Sequence, residues 1–529
     1  MNRISRFASI SLAALSLTAC AALPAATPAR VAKPLNTYES RASFAAPAVE
    51  WPSDAWWTAY NDPQLDTLIA EALDNSPTLA AGQARLMRAQ SAAAGVRGAA
   101  LPGVSLNGYA AEHKESYNNG FPREYVPQGY KDAGRLTLDF SWDLDFWGRN
   151  RAAIAAASSE ARAVQAEAAA ARLMLSAAVA SAYADLGRQW ALRDIAARAV
   201  ELRTETGKLT DQRRANGAET QGAVSQASAE LYAARAELGA QEEALSLARN
   251  QLAALLGAGP DRGLAITRPP LATTKPFGLP ANVGLDLIGR RPDVTAARWR
   301  AEAANRRVGQ ARAAFFPNIN LAAYFGVQAL TLDTLFKNGS DIGQFGPAVS
   351  LPIFEGGRLR AGLRGVQAER DGAVAAFDGA VAQALREVAD AAAGQRGLAD
   401  RLSETRAAVA ASEDAHRISR LRYNGGLGTY QSVLLAEQTL LAQRRTLATL
   451  ESRALAADVA MVRALGGGYA ADLPAKEGGG YAAHLPAKEG GGYAADLPAK
   501  EGGGYAADPP KQAAAIIPVN ASAGPGRPS

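Results

Sequence analysis

At 529 residues the chain is long enough for several domains and a large core. Its 56 basic and 51 acidic residues leave a formal charge of +5 and are intermingled, without the basic block of a nucleic-acid surface, so no nucleic-acid partner is expected. The single cysteine, Cys20, excludes an intrachain disulfide and a cysteine metal cluster.

Residues 1–19 read as an export signal: Arg3 and Arg6 precede a short apolar core at residues 7 to 19. A spanning helix needs about 20 apolar residues, so this core is too short to be one. Leu17, Thr18 and Ala19 place small residues before Cys20, which looks like a bacterial lipobox and makes Cys20 the expected lipidation site. The alternative is an ordinary secretory signal with an incidental cysteine. Ala21 follows in place of an inner-membrane retention Asp, so such an anchor would go to the outer membrane. Residues 20–50, rich in Ala and Pro, form the expected extended linker, and the body begins near Trp51. No later stretch reads as a transmembrane helix, so further membrane contact must be β.

The body, residues 51–465, repeats itself. Pro77, Arg97, Pro102, Val104, Leu106 and Tyr109 match Pro292, Arg312, Pro317, Ile319, Leu321 and Tyr324 without a gap. Phe146, Gly148 and Arg149 echo Phe354, Gly357 and Arg358, and Asn216-Gly217 echoes Asn424-Gly425. Each repeat, 51–280 and 281–465, runs helix, strand, loop, strand, long helix, turn, long helix. The strands are predicted at about 102–112, 135–147, 317–328 and 343–354. The long helices are predicted at about 150–212, 218–257, 358–422 and 429–465.

The helical segments are rich in Ala, Leu, Arg, Gln and Glu, the best helix formers. Residues 150–212 would extend roughly 90 Å. Their apolar stripe, Val164 to Trp190, steps by about 3.7 residues and fits nearly straight packing. A plain soluble bundle would show the same stripe, and the strands decide between the two. From Leu136 to Phe146 even positions are apolar, while odd positions are Thr137, Asp139, Ser141, Asp143 and Asp145. Strict alternation of this length suits a tilted bilayer strand, with Asp139, Asp143 and Asp145 on the lumen face. Four strands cannot close a barrel, and open edges are not tolerated in lipid, so the chain must oligomerise.

From Gly466 a twelve-residue unit, Gly-Gly-Gly-Tyr-Ala-Ala-Asp-Leu-Pro-Ala-Lys-Glu, recurs four times with drift. Three glycines and a proline per unit cannot sustain a helix, so residues 466–529 are expected to be a disordered tail, dispensable for the body. His113, His416 and His484 have no metal-ligand spacing around them, and no catalytic or cofactor motif is present, so neither enzyme activity nor a cofactor is expected.

Four local signatures, in this order, carry a family resemblance over roughly residues 51–465: Trp56-Trp57 with Asp62-Pro63 and Leu65; Asp145-Phe146-Trp147-Gly148-Arg149; Arg290-Arg291-Pro292-Asp293; and Ala314-Phe315-Phe316-Pro317. The chain resembles the TolC-type outer membrane factors, in the NodT/OprM-like lipoprotein branch that serves resistance-nodulation-division pumps. The resemblance implies a mainly α protomer with a membrane β-barrel: a homotrimer forming a 12-stranded barrel and a 12-helix periplasmic tunnel. It further implies passive efflux of drugs and toxic compounds, opened by a periplasmic membrane-fusion adaptor and an inner-membrane pump. Protein secretion by the same fold, or a pore-less lipid-anchored coiled coil, are the competing readings. The candidate gate lies at the two turns between long helices, in Arg213, Arg214, Asn216, Glu219, Tyr423, Asn424, Leu427, Gly428 and Tyr430. Leu427 and Gly428 stand where many relatives carry an acidic residue.

Overall fold

The computed structural model describes residues 28–34, 37–39, 42–44, 49–270, 277–280 and 283–471. Cys20 with the export signal, and the repeats beyond residue 471, lie outside them.

The first repeat opens with a single 3-10 turn, Trp56–Tyr60, followed by α1 (Pro63–Asn75) and α2 (Pro77–Ala99). Strands β1 (Gly103–His113) and β2 (Lys131–Leu144) come next, then α3 (Arg149–Ala215), α4 (Gln221–Leu255) and the short α5 (Pro260–Leu264). The second repeat supplies α6 (Val283–Arg290), α7 (Pro292–Ala313), β3 (Asn318–Ala329), β4 (Asp341–Ser350), α8 (Arg358–Asn424) and α9 (Tyr430–Ala464). The duplication is held to the residue in length: α3 and α8 each have 67 residues, α4 and α9 each 35. Even the caps repeat, since the hydroxyls of Thr220 and Thr429 accept from the N–H groups of Ala223 and Ser432.

The four strands form one antiparallel sheet in the order β1-β2-β3-β4, so the two hairpins join across the duplication through β2 and β3. The helices leave from one end of this sheet. About halfway along α3, where α4 and α9 end, the core gathers Trp56, Leu65 and Ile69 against Val179, Tyr183 and Leu186 of α3, Leu252 of α4 and Val462 of α9. Asp62 fixes this corner: its carboxylate caps α1 by accepting from Gln64 and Leu65 N–H and also accepts from the Tyr183 hydroxyl at 2.8 Å. Buried Asp458 of α9 likewise accepts from Tyr60 Oη at 2.8 Å, Gln395 Nε2 at 3.1 Å and the Phe277 N–H, tying both repeats to the segment between them.

Three sequence expectations are corrected. An 18-residue window of α3 does reach a mean hydropathy of 1.2, enough by composition for a membrane span. About a third of that window is buried, and elsewhere along α3 small residues such as Ala163, Val179 and Ala180 are fully buried against other helices. The linker is not free where it is described: the Arg30 side chain pairs with Asp378 at 3.6 Å, and Lys33 N–H donates to the same carboxylate at 3.0 Å, so the segment lies along α8. The packed body also runs past Leu465. Gly466, Gly467 and Gly468 all take positive φ and turn the chain into a cradle formed by Arg290, Leu173 and Ser53, and Ala471 N–H donates to Gly289 O at 2.9 Å. Gly466 and Gly467 are buried, so the disordered tail expected from residue 466 does not begin there.

The Arg290-Arg291-Pro292-Asp293 signature explains what holds that turn. Buried Arg291 donates to Asp293, to Glu387 Oε2 of α8 at 2.8 Å and to the Ala464 carbonyl at 3.1 Å, where α9 ends. Burial alone would raise the Asp293 carboxyl, but the Arg291 guanidinium overcomes it and holds that pKa below the usual range.

Candidate pore-lining face and gate

The strand register sorts every side chain of the sheet onto one of two faces. Leu106, Leu138 and Phe325 are cross-strand partners, as are Val104, Phe140, Ala323 and Phe345. The same face carries Leu136, Trp142, Ile319, Leu321, Val327 and Val349. Leu106 is 67 % exposed and Phe345 70 %, a burden of uncovered apolar surface that water would not tolerate. The opposite face pairs Ser105 with Asp139 and Tyr324, Asn107 with Thr137, and Asp143 with Asn320. Asp139 accepts from Asn107 Nδ2 at 2.8 Å and Thr137 Oγ1 at 2.9 Å, and Asn318 Nδ2 lies 3.4 Å from Asp143. Asp139 and Asp143 thus sit together on the polar face.

Asp145 does not. β2 begins four residues before the predicted start and stops at Leu144, and the chain turns through left-handed Gly148 into α3. Asp145 folds over that helix start, accepting from Asn150 N–H at 3.0 Å and Arg151 N–H at 2.9 Å. Its partial burial works to raise its pKa, and these bonds with the Arg151 charge hold it below the ordinary carboxylate value instead. Asp145 is a helix cap, and its place in an alternating pattern concealed that. The adjoining Trp147 stacks on Phe316 of the other repeat at 4.8 Å and donates its indole N–H to Pro317 O at 2.8 Å. Two of the four signatures therefore meet at the base of the sheet, one from each half.

At the far end of the long helices the two turns come together. Tyr423 is buried; its ring lies 4.7 Å from the Arg213 guanidinium, which donates to the Tyr423 carbonyl at 3.0 Å. The Tyr423 hydroxyl donates to Glu219 Oε1 at 3.1 Å, and burial with this carboxylate beside it pushes the phenol pKa up. Tyr430 packs 6.2 Å away, over an apolar base of Val433, Leu434 and Ala227. Of the nine candidates, Arg213, Glu219, Tyr423 and Tyr430 form this cluster. Arg214 is exposed and faces Asp211 on its own helix at 3.7 Å, while Asn216, Asn424 and Leu427 are exposed turn residues and Gly428 is half-buried beside Arg422.

Further along the hairpins lies a linkage that the sequence did not disclose. Arg203 of α3 bonds Glu437 of α9 at 3.1 Å and Glu230 of α4 at 3.2 Å, and Arg420 of α8 bonds Glu205 of α3 at 2.8 Å. Glu437 is only 2 % exposed; burial raises its pKa, with Arg203 opposing the shift. One signal was available, because Glu437 interrupts the apolar run Val433, Leu434, Leu440 and Leu441. Both hairpins are thus joined by polar links at the tip and again several turns above it, with a cleft of about 240 Å³ lined by Glu205, Arg420 and Tyr423 between.

Comparison with known proteins agrees with this geometry. The chain is 42% identical over 319 residues to the fusaric acid resistance protein FusA of Burkholderia cepacia, covering 59% of each chain. It is 32% identical to the multidrug resistance outer membrane protein MdtP of Escherichia coli K12 over 80% of this chain and 88% of that one. The solved outer membrane protein VceC of Vibrio cholerae superposes with a TM-score of 0.75 at 45% identity, covering 79% of this chain and all of that one. The sequence model described as outer membrane efflux protein matches residues 68–258 and 285–467, the second match ending inside the triglycine turn. A duplicated protomer with one amphipathic four-stranded sheet and two long hairpins, matched over both repeats, places this chain in the outer membrane efflux protein family, as an outer membrane channel reaching into the periplasm.

Proposed function

We propose that three copies close into a duct that passively conducts small organic compounds, drugs and toxicants among them, from periplasm to exterior. The observation that carries this is the sheet: β1 and β4 each have a free edge, and one face is apolar over its middle and helix-side length, with Glu112, Asp132 and Asp341 only at its far end. Three sheets of four strands make a barrel of twelve, an even number, with apolar side chains to lipid and Asp139 and Asp143 toward water. The drug-resistance names of FusA and MdtP support the substrate class, and a polar lumen leaves selection to an inner-membrane resistance-nodulation-division pump. A periplasmic membrane-fusion adaptor opens the duct at the turn cluster around Tyr423. Detergent-purified protein should run as a trimer and add discrete conductance steps to a planar bilayer. A stable monomer without conductance would refute the duct.

Cys20 serves as the mature N-terminus and carries lipid into the outer membrane. The docked linker supports the reach: Arg30 N–H bonds Asp371 at 3.3 Å, a point about 20 Å along α8 from the sheet. Ten extended residues between Cys20 and Arg30 span up to about 33 Å, enough to return to the bilayer. A radioactive fatty acid should label the wild type and spare Cys20→Ser. Equal labelling of the two would remove the anchor, leaving the barrel as the membrane contact.

A further inference from the structure

We infer that Arg135 makes the barrel lumen electrically polar, acidic toward the periplasm and basic toward the exterior, so that ion flow through it depends on direction. The inference rests on the trimeric duct proposed above. Every Asp, Glu, Lys and Arg on the polar face of the sheet comes from one strand, β2. Asp143 and Asp139 occupy the half next to the helices, and Arg135 and Lys131 the outer half. At about 3.4 Å per residue, the steps from Asp143 to Asp139 and from Asp139 to Arg135 are each about 14 Å. The charges are not cancelled in place. Asp139 and Asp143 are held by neutral groups of Asn107, Thr137 and Asn318. The Arg135 guanidinium lies 5.1 Å from the centre of the Tyr324 ring, and no ion pair engages it, Asp139 or Asp143 among the described residues. Glu112, Asp132 and Asp341 of the outer rim belong to the opposite face, across the sheet wall, and Glu115 is engaged by His113 at 3.0 Å.

Three copies place one ring of guanidinium groups outside two rings of carboxylates. Rings of like charge in a pore set which ions enter it. Three unit charges about 10 Å from the axis change the local concentration of small ions about twofold at 0.1 M salt, where the Debye length is about 10 Å, and by only about a tenth at 1 M. A voltage positive on the periplasmic side drives cations in past the carboxylates and anions in past the guanidinium ring. Both accumulate between the rings, and conductance rises. The opposite voltage draws both kinds of ion out of that zone and leaves it depleted. Arg135 is the residue that determines this behaviour, because Lys131 stands at the end of the strand, where the lumen meets bulk water. Without Arg135 the lumen is governed by its two acidic rings and simply prefers cations.

Single-channel current in a planar bilayer tests this, in the wild type and in an Arg213→Ser, Tyr423→Phe background that relieves the closed turns. Polar hairpins about 100 Å long cannot cross the bilayer, so protein added to one chamber keeps its periplasmic end there. At about 100 mV, current with that chamber positive should exceed current with it negative by roughly 1.5-fold in 0.1 M KCl, and the two should be nearly equal in 1 M KCl. Arg135→Gln should lose most of the asymmetry, and so should Asp139→Asn combined with Asp143→Asn. Arg135→Lys, which keeps the charge, should retain it. Equal currents of either sign in 0.1 M KCl through conducting trimers would overturn the inference and leave the duct standing. The same asymmetry in Arg135→Gln, or its loss in Arg135→Lys, would also overturn it. Absence of conductance in every chain would overturn the duct itself, and the inference with it.

Discussion

Leu138→Arg is expected to abolish assembly of the channel in the outer membrane, whereas Asp143→Lys, on the other face of the same strand, leaves it intact. Leu138 stands near the middle of β2, between Leu106 and Phe325 on the apolar face. An Arg facing lipid at the midplane costs about 2 to 4 kcal/mol, and a closed barrel of three protomers bears it three times. Depth matters as much as face. Trp142 lies near the helix end of β2 and donates its indole N–H to Ala100 O at 3.3 Å, an interfacial position where a cation costs only about 0 to 1 kcal/mol. Heat-modifiable trimer in outer membrane fractions measures both variants and Trp142→Lys, which should assemble nearly as well as the wild type. Normal trimer for Leu138→Arg would mean that this face does not meet lipid.

Arg213→Ser combined with Tyr423→Phe is expected to raise single-channel conductance and to sensitise cells to large antibiotics such as vancomycin, with trimer yield unchanged. The pair removes a hydrogen bond to the Tyr423 carbonyl, a cation–π contact and the Tyr423–Glu219 bond. Each is worth about 0.5 to 1.5 kcal/mol, so the resting state is weakened by a few kcal/mol per protomer. Arg214→Ser is the matched control, because its exposed pairing with Asp211 stays within α3 and does not cross between hairpins. Opening should stop short of complete while Arg203–Glu437 and Arg420–Glu205 still join the hairpins above the tip. If conductance of the double variant is unchanged with intact trimers, the closed state is held elsewhere.

Periodicity carried most of the fold. Alternation over residues 136 to 144 named the two faces of β2, and the internal duplication located its partner strands and both long hairpins. What it could not reveal was contact between residues distant in sequence. Arg203, Glu230 and Glu437 each look like a solvated charge on a helix, and only the packing of three helices brings them together. Neighbouring arginines at the first turn are equivalent in sequence, yet helix rotation turns Arg213 toward Tyr423 and Arg214 toward water. Asp145 fitted the period-two pattern by coincidence, and deciding its role required knowing where α3 starts. The triglycine at 466 reads as a breaker in any local analysis; its close fit appears only once Arg290, Leu173 and Ser53 surround it.

The equal lengths of α3 and α8, and of α4 and α9, constrain how such a chain can change. Both hairpins start level at the base of one sheet, so the depth of each turn is set by residue count alone. Inserting seven residues into each arm of one hairpin would lower its tip by about 10 Å, carrying Arg213 and Glu219 out of reach of Tyr423. The tunnel can be lengthened or shortened only by matched changes in all four arms, a form of covariation in gaps rather than in residue identities. The depth to which the channel reaches into the periplasm is in this way a property neither repeat can alter alone.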